Sequence, residues 1–203
     1  MRTREKNLYP KSITGSALHY RRTSDFQPGC YLRKVGKHKM TGPEQKEAKV
    51  KNCDHTSVGM VVRQGDKMLL IERMKYPFGF APPAGHVDGD PSFEIAARRE
   101  LTEEVGLKAT NLKVIFEGRK DNSCRRPGGT WHEWKIYEVE VEGELKRSAD
   151  ETKQAGWYTK QEIEKLAERT RLYLAGKISD EEWQANPGLE TFWFKWRKEL
   201  KVF

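Results

Sequence analysis

The chain has 203 residues, enough for one domain with an extension rather than for two domains. A mean hydropathy of −0.87 and 33% charged residues, with no apolar run near the roughly 18 residues a bilayer requires, exclude a membrane-spanning helix. The formal net charge is +8, and its distribution is uneven. Residues 1–51 hold thirteen Lys and Arg against Glu5, Asp25, Glu44 and Glu47, a surplus of nine, so residues 52–203 are close to neutral. The first residues, MRTREKNLYPKSITG, contain no apolar stretch of the kind a secretory signal needs, so a cytoplasmic location is expected. Cys30, Cys53 and Cys124 are too few and too scattered for a disulfide framework, and no Cys-x-x-Cys occurs. The expectation is three reduced thiols without a zinc ribbon.

Taken in chain order, residues 1–51 read as a loosely ordered basic extension. Their periodicity is weak and the pairs Tyr9-Pro10, Pro28-Gly29 and Gly42-Pro43 interrupt it. Three readings stand for this segment: a solvated tail, an electrostatic arm for nucleic acid, or a segment outside the mature protein. In the last, Met40 is the true start or residues 1–39 form an organellar transit segment. Residues 52–203 are expected to form the folded body. Val58–Val62 and Met68–Ile71 around Gln64-Gly65-Asp66 predict two strands and a turn. The Pro- and Gly-rich stretch 76–85 predicts an irregular loop. A helix is expected over 92–105, capped by Asp90 or Ser92 at one end and Gly106 at the other.

Leu112–Glu117 predicts a third strand, 118–129 a loop, and Thr130–Val141 a strand whose alternation changes phase at Ile136–Tyr137, which predicts a bulge there. Gly156–Tyr158 reads as a last strand, followed by helices over 160–175 and 188–200. In the second helix Leu189, Trp193, Trp196 and Leu200 form one stripe, expected to pack on the sheet. Strands mixed with helices without regular alternation indicate an α+β or α/β/α sandwich.

The segment from Gly85 to Leu107 carries the chemistry. On a helix Glu100, Glu103 and Glu104 fall within one arc of about 100°. Carboxylates so spaced repel one another unless a cation offsets the charge, and all-oxygen ligation suits Mg²⁺ or Mn²⁺. Gly85, Arg99-Glu100-Leu101, Glu103-Glu104 and Gly106-Leu107 stand at the spacings of Gly-x5-Glu-x7-Arg-Glu-U-x-Glu-Glu-x-Gly-U, with U aliphatic. This pattern resembles the box of the Nudix (MutT-like) hydrolases, and the resemblance extends over about residues 54–160. One position departs: Pro91 stands where the box has its first Glu, with Asp90 and Glu94 as replacements for holding Arg99.

The resemblance implies an α/β/α sandwich with a mixed sheet. It also implies a Mg²⁺-dependent enzyme, with Mn²⁺ as an alternative, that cleaves a phosphoanhydride bond in a nucleoside diphosphate linked to another group. ADP-ribose-like compounds, dinucleoside polyphosphates and modified nucleoside triphosphates all meet that description. It nominates Glu100, Glu103, Glu104 and the Ala84 carbonyl as metal ligands, and Glu100 or Glu151 as general base. Arg99 receives an orienting or electrostatic role. For the substrate, Trp131 and Trp134 are candidates for stacking on a base, against core packing. Arg119, Lys120, Arg125 and Arg126 are candidates for phosphate contacts, against a solvated loop. His86 and His132 are expected to serve local structure, since neither has a His or Cys at ligand spacing in the sequence. Two alternative functions stand beside this one: RNA 5′-end processing aided by the basic arm, and a nucleotide-binding regulator without turnover. A small nucleotide is the expected partner, no membrane is, and a homodimer is compatible with the sequence.

Overall fold

The computed structural model describes residues 51–200. Apart from Lys51, the expected basic extension lies outside the described residues. Strand β1 (Thr56–Gln64) and strand β2 (Lys67–Arg73) form the expected pair across the Gly65 turn, where Gly65 has φ +61°. Short strands β3 (Phe80–Ala81) and β4 (Ala84–His86) interrupt the segment expected to be irregular. Pro82 and Pro83 lack N–H groups, so only two- or three-residue ladders form around them. Helix α1 (Phe93–Val105) follows, then β5 (Lys108–Asp121), β6 (Trp131–Glu142) and β7 (Thr152–Thr159). Helices α2 (Lys160–Leu174), α3 (Asp180–Ala185) and α4 (Thr191–Leu200) complete the described chain. The short α3, capped by Ser179, was not expected.

The sheet is mixed, in the order β3-β2-β1-β6-β5, with β4 added to β1 and β7 to β2. Strand β1 is central. It runs parallel to β6 from Thr56↔Glu133 to Val62↔Val139 and antiparallel to β2 and β4. Its unbroken apolar run follows from burial on both faces. Val58, Met60 and Val62 join Ala96, Ala97, Leu101 and Val105 of α1 in one core. Val61 joins Ile163 and Ala167 of α2 and Trp193 and Trp196 of α4 in a second core. The molecule is thus the expected α/β/α sandwich. Trp193 and Trp196 of α4 are buried as expected and Leu200 lies against them, but Leu189, also buried, precedes the helix and bridges to Phe80. Gly59 is required beneath α4, because a Cβ there would fall 2.9 Å from the Trp193 ring.

A bulge does lie at Ile136–Tyr137, but its extra residue is on the facing strand. Strand β6 pairs with β1 without a break through Ile136 and Tyr137. Strand β5 carries the extra residue: Val114 faces Tyr137 and Phe116 faces Ile136, leaving Ile115 between them, and a second irregularity lies between Ala109 and Asn111. The change of phase along β6 has another cause. Trp134 and Ile136 fill the core under α4, while Tyr137 and Val139 fill the core under α1. Among the described residues no helix is long and apolar enough to cross a membrane.

Candidate active site

Helix α1 begins where Ser92 accepts the Ile95 N–H at 3.2 Å and ends at Gly106, in the left-handed region at φ +72°. Its apolar face fixes the rotation about its axis, and that rotation turns Glu100 and Glu104 toward β4. Glu104 is only 5% exposed. Its Oε2 accepts the Ala84 N–H at 2.9 Å. Strand β4 passes so close that a Cβ on Gly85 would sit 2.0 Å from the Glu100 carboxyl carbon, so only glycine fits. Glu151, just before β7, brings a third carboxylate, and the main-chain bond from Met74 N–H to Glu151 C=O, 3.1 Å, ties its segment to the end of β2. One oxygen from each of Glu100, Glu104 and Glu151 lies within 4.8 Å of the other two.

Burial pushes Glu104 up to about 8; the neighbouring charges of Glu100 and Glu151 act in the same direction, while Arg73 and the Ala84 N–H oppose them. Glu100 is also raised, by burial first, although Arg99 pulls the other way. Such a carboxylate ionises reluctantly because burial denies it solvent, with its like-charged neighbours adding to the effect. Three converging carboxylates suit a hard divalent cation, so the donor set fits the expected metal.

Arg99 organises the rim. Its Nε donates to Asp90 at 2.8 Å, and its two terminal nitrogens reach Glu100 at 2.9 Å, Glu103 at 2.8 Å and the His86 C=O at 3.0 Å. Asp90 therefore occupies the role left open by Pro91, whereas Glu94 pairs with Arg98 at 2.9 Å. Glu103, with its side chain 51% exposed, faces Arg99 and lies apart from the three-carboxylate cluster.

Arg99, Glu100, Glu103, Glu104 and Glu151 line a cleft of about 270 Å³ together with Arg73, Arg125, Arg126 and Tyr76. Arg126 pairs with both oxygens of Asp88, and that contact holds the Asp88 carboxyl well below the usual carboxylate range. Lys51, the last residue of the expected extension, reaches Asp88 at 3.3 Å. The other candidates for substrate contact sit elsewhere. Trp131 stacks on His55 at 4.4 Å, with the Arg119 guanidinium 4.4 Å from the Trp131 ring. Lys120 pairs with Glu199. Trp134 is buried among Trp193 and Trp196, and its Nε1 donates to Asn122 at 2.9 Å.

Arg73 escaped the sequence reading. It ends β2, lines the cleft, and its Nε is buried without a hydrogen-bond partner among the described residues. A lone arginine closing an apolar strand gave no signal. The expectation that His86 and His132 lack Cys partners is also corrected, because the fold brings both beside Cys53 and Cys124.

A family model, the NUDIX domain, matches residues 54–176. No curated protein matches the chain in sequence. Similar solved structures include a MutT NUDIX hydrolase from Burkholderia pseudomallei, 22% identical, with 52% of this chain and 82% of that one covered and a TM-score of 0.47. A NUDIX hydrolase from Nitrosomonas europaea is 21% identical, with 67% and 92% covered and a TM-score of 0.47. The NUDIX domain of Shewanella oneidensis NrtR, solved with ADP ribose, is 17% identical, with 60% and 82% covered and a TM-score of 0.46.

Proposed function

Because the chain belongs to the NUDIX hydrolase family, we propose that it hydrolyses a phosphoanhydride bond in a nucleoside diphosphate derivative, using Mg²⁺ held by Glu100, Glu104 and Glu151. The observation that carries this reading is the convergence of those three carboxylates within 4.8 Å beside a cleft edged by arginines. When bound, the divalent ion would neutralise phosphate charge and lower the pKa of a coordinated water. The Ala84 main chain adjoins this set through its bond to Glu104, and Glu103 would extend the acidic lining from the rim.

The chain's own residues divide the remaining work. Glu151 gives one carboxylate oxygen to the metal set and its other oxygen takes the role of general base, since no hydrogen-bond donor among the described residues reaches its carboxylate, whereas Glu100 is tied to Arg99. Glu151 accepts a proton from the attacking water as the new P–O bond forms. One anhydride P–O bond breaks, and its electron pair leaves on the departing phosphate. Arg99 positions Glu100 and Glu103 and holds the β4 main chain at His86. Arg73, Arg125 and Arg126 supply positive charge to the diphosphate from the cleft wall. Trp131 with Arg119 forms a stacking surface outside that lining, and Trp134 serves the core. Residues 52–203 form the catalytic body in this reading, and residues 1–51 are a basic appendage to it.

A panel of nucleoside diphosphate derivatives, dinucleoside polyphosphates, modified nucleoside triphosphates and 5′-triphosphorylated RNA, each with Mg²⁺ or Mn²⁺, tests the proposal. The expected result is metal-dependent cleavage of at least one small nucleotide, lost in Glu100→Gln and Glu104→Gln. Ligand binding without cleavage would indicate a regulator. Cleavage confined to the RNA, weakened steeply by salt, would indicate 5′-end processing.

A further inference from the structure

We propose a second metal site, a closed Cys₂His₂ zinc centre formed by Cys53, His86, Cys124 and His132. It is separate from the carboxylate cluster. One ligand atom from each of the four residues lies within 4.8 Å of the other three. The Cys53 sulfur is 3.6 Å from His86 Nε2 and 3.1 Å from His132 Nε2. A tetrahedron with Zn–S near 2.3 Å and Zn–N near 2.0–2.1 Å has an S···N edge of about 3.5 Å. The side chains therefore already stand near the edges of such a tetrahedron.

The surroundings prepare three of the four ligands, His132, Cys53 and Cys124. Asn122 Oδ1 accepts the Trp134 indole N–H at 2.9 Å, which identifies that atom as the amide oxygen. His132 Nδ1 lies 3.1 Å from the same oxygen and must donate to it. The Nε2 lone pair of His132 is then left facing Cys53, the arrangement that an outer hydrogen bond imposes on a metal-ligating histidine. Both sulfurs accept a main-chain N–H from two residues further on, His55 to Cys53 at 3.3 Å and Arg126 to Cys124 at 3.4 Å. Such bonds stabilise thiolates. Gly129 makes room, since a Cβ there would fall 2.2 Å from the Cys124 sulfur. The Cys53 N–H donates to the Pro127 C=O at 3.0 Å and joins the two cysteine segments.

Two thiolates and two imidazoles select zinc over magnesium, and four protein ligands leave no open position, so the centre is structural. It fastens the entry to β1, the end of β4, the loop between β5 and β6, and the start of β6. That loop carries Arg125 and Arg126.

The full chain, purified under reducing conditions without chelator, is assayed for metal by mass spectrometry and for ligands by X-ray absorption. We expect about one zinc per chain with a mixed sulfur and nitrogen shell. Zinc content should fall more than tenfold in Cys53→Ser and Cys124→Ser and stay unchanged in Glu104→Gln. Trypsin should cut after Arg125 faster in Cys124→Ser than in the wild type, Arg126 being protected by Pro127. If the variants do not fold, cobalt loading of the wild type decides, with sulfur-to-cobalt charge transfer expected. The proposal is overturned by folded wild-type chain that takes up no zinc from a stoichiometric supply. A shell without sulfur, or a Cys53–Cys124 disulfide as the stable state, would also overturn it.

Discussion

Glu104→Gln tests the electrostatics of the site in the absence of metal. In the folded chain burial raises the Glu104 carboxyl to about 8 from its ordinary 4.5. At neutral pH the folded protein therefore keeps a proton there that the unfolded chain has released. The stabilising contribution of this group is complete below pH 4.5 and is lost as pH rises toward 8. Each tenfold change in proton affinity is worth about 1.4 kcal/mol, so the loss between pH 5 and 7 comes to about 2–3 kcal/mol. Gln cannot titrate, and its carbonyl can still accept the Ala84 N–H. Urea unfolding with chelator present should show the wild type losing about 2–3 kcal/mol more than Glu104→Gln over that interval. Excess Mg²⁺ should then raise the wild-type midpoint and leave the variant unmoved. Parallel stability curves for the two proteins between pH 5 and 8 would refute the claim that burial holds Glu104 protonated.

Removing Asp90 as Asp90→Ala should lower kcat/KM by about tenfold, the equivalent of one charge-assisted bond to Arg99 of roughly 1.4 kcal/mol. Adding Pro91→Glu should restore most of the loss, and steady-state kinetics of the single and double variants will show whether it does. Gly59→Ala forces a methyl against Trp193 and should cost about 1–3 kcal/mol, read from denaturant midpoints. Deleting residues 1–39 should leave a cooperative thermal melt, and loss of cooperativity would place part of that segment in the core.

The elements legible in the sequence were those specified by local spacing. Helix α1 is marked by Ser92 and Gly106 at its ends, and the stripe on α4 by Trp193, Trp196 and Leu200. The glutamates of α1 were legible for the same reason, because a helix converts fixed spacing into a shared face. What stayed hidden depends on contacts between distant segments. The strands β3 and β4 exist only because β1 and β2 supply partners for a few residues among prolines. The bulge facing Ile136–Tyr137 could not be assigned to Ile115 from β6 alone, because the added residue belongs to the partner strand β5. The sharing of Arg99 between Asp90, Glu100 and Glu103 follows from where the turn after β4 ends. The cysteine–histidine cluster joins residues from 53 to 132 through the parallel pairing of β1 and β6, which no short spacing rule can detect.

Equilibrium Mn²⁺ binding, followed by electron paramagnetic resonance with the zinc content of each sample held constant, tests the central claim most directly. Glu100→Gln, Glu104→Gln and Glu151→Gln should each weaken binding at least about tenfold, close to 1.4 kcal/mol per lost ligand. Glu103→Gln, outside the cluster, should change it less. Equal Mn²⁺ affinity in the wild type and in all three cluster variants would contradict the assignment of these carboxylates as the metal-binding centre.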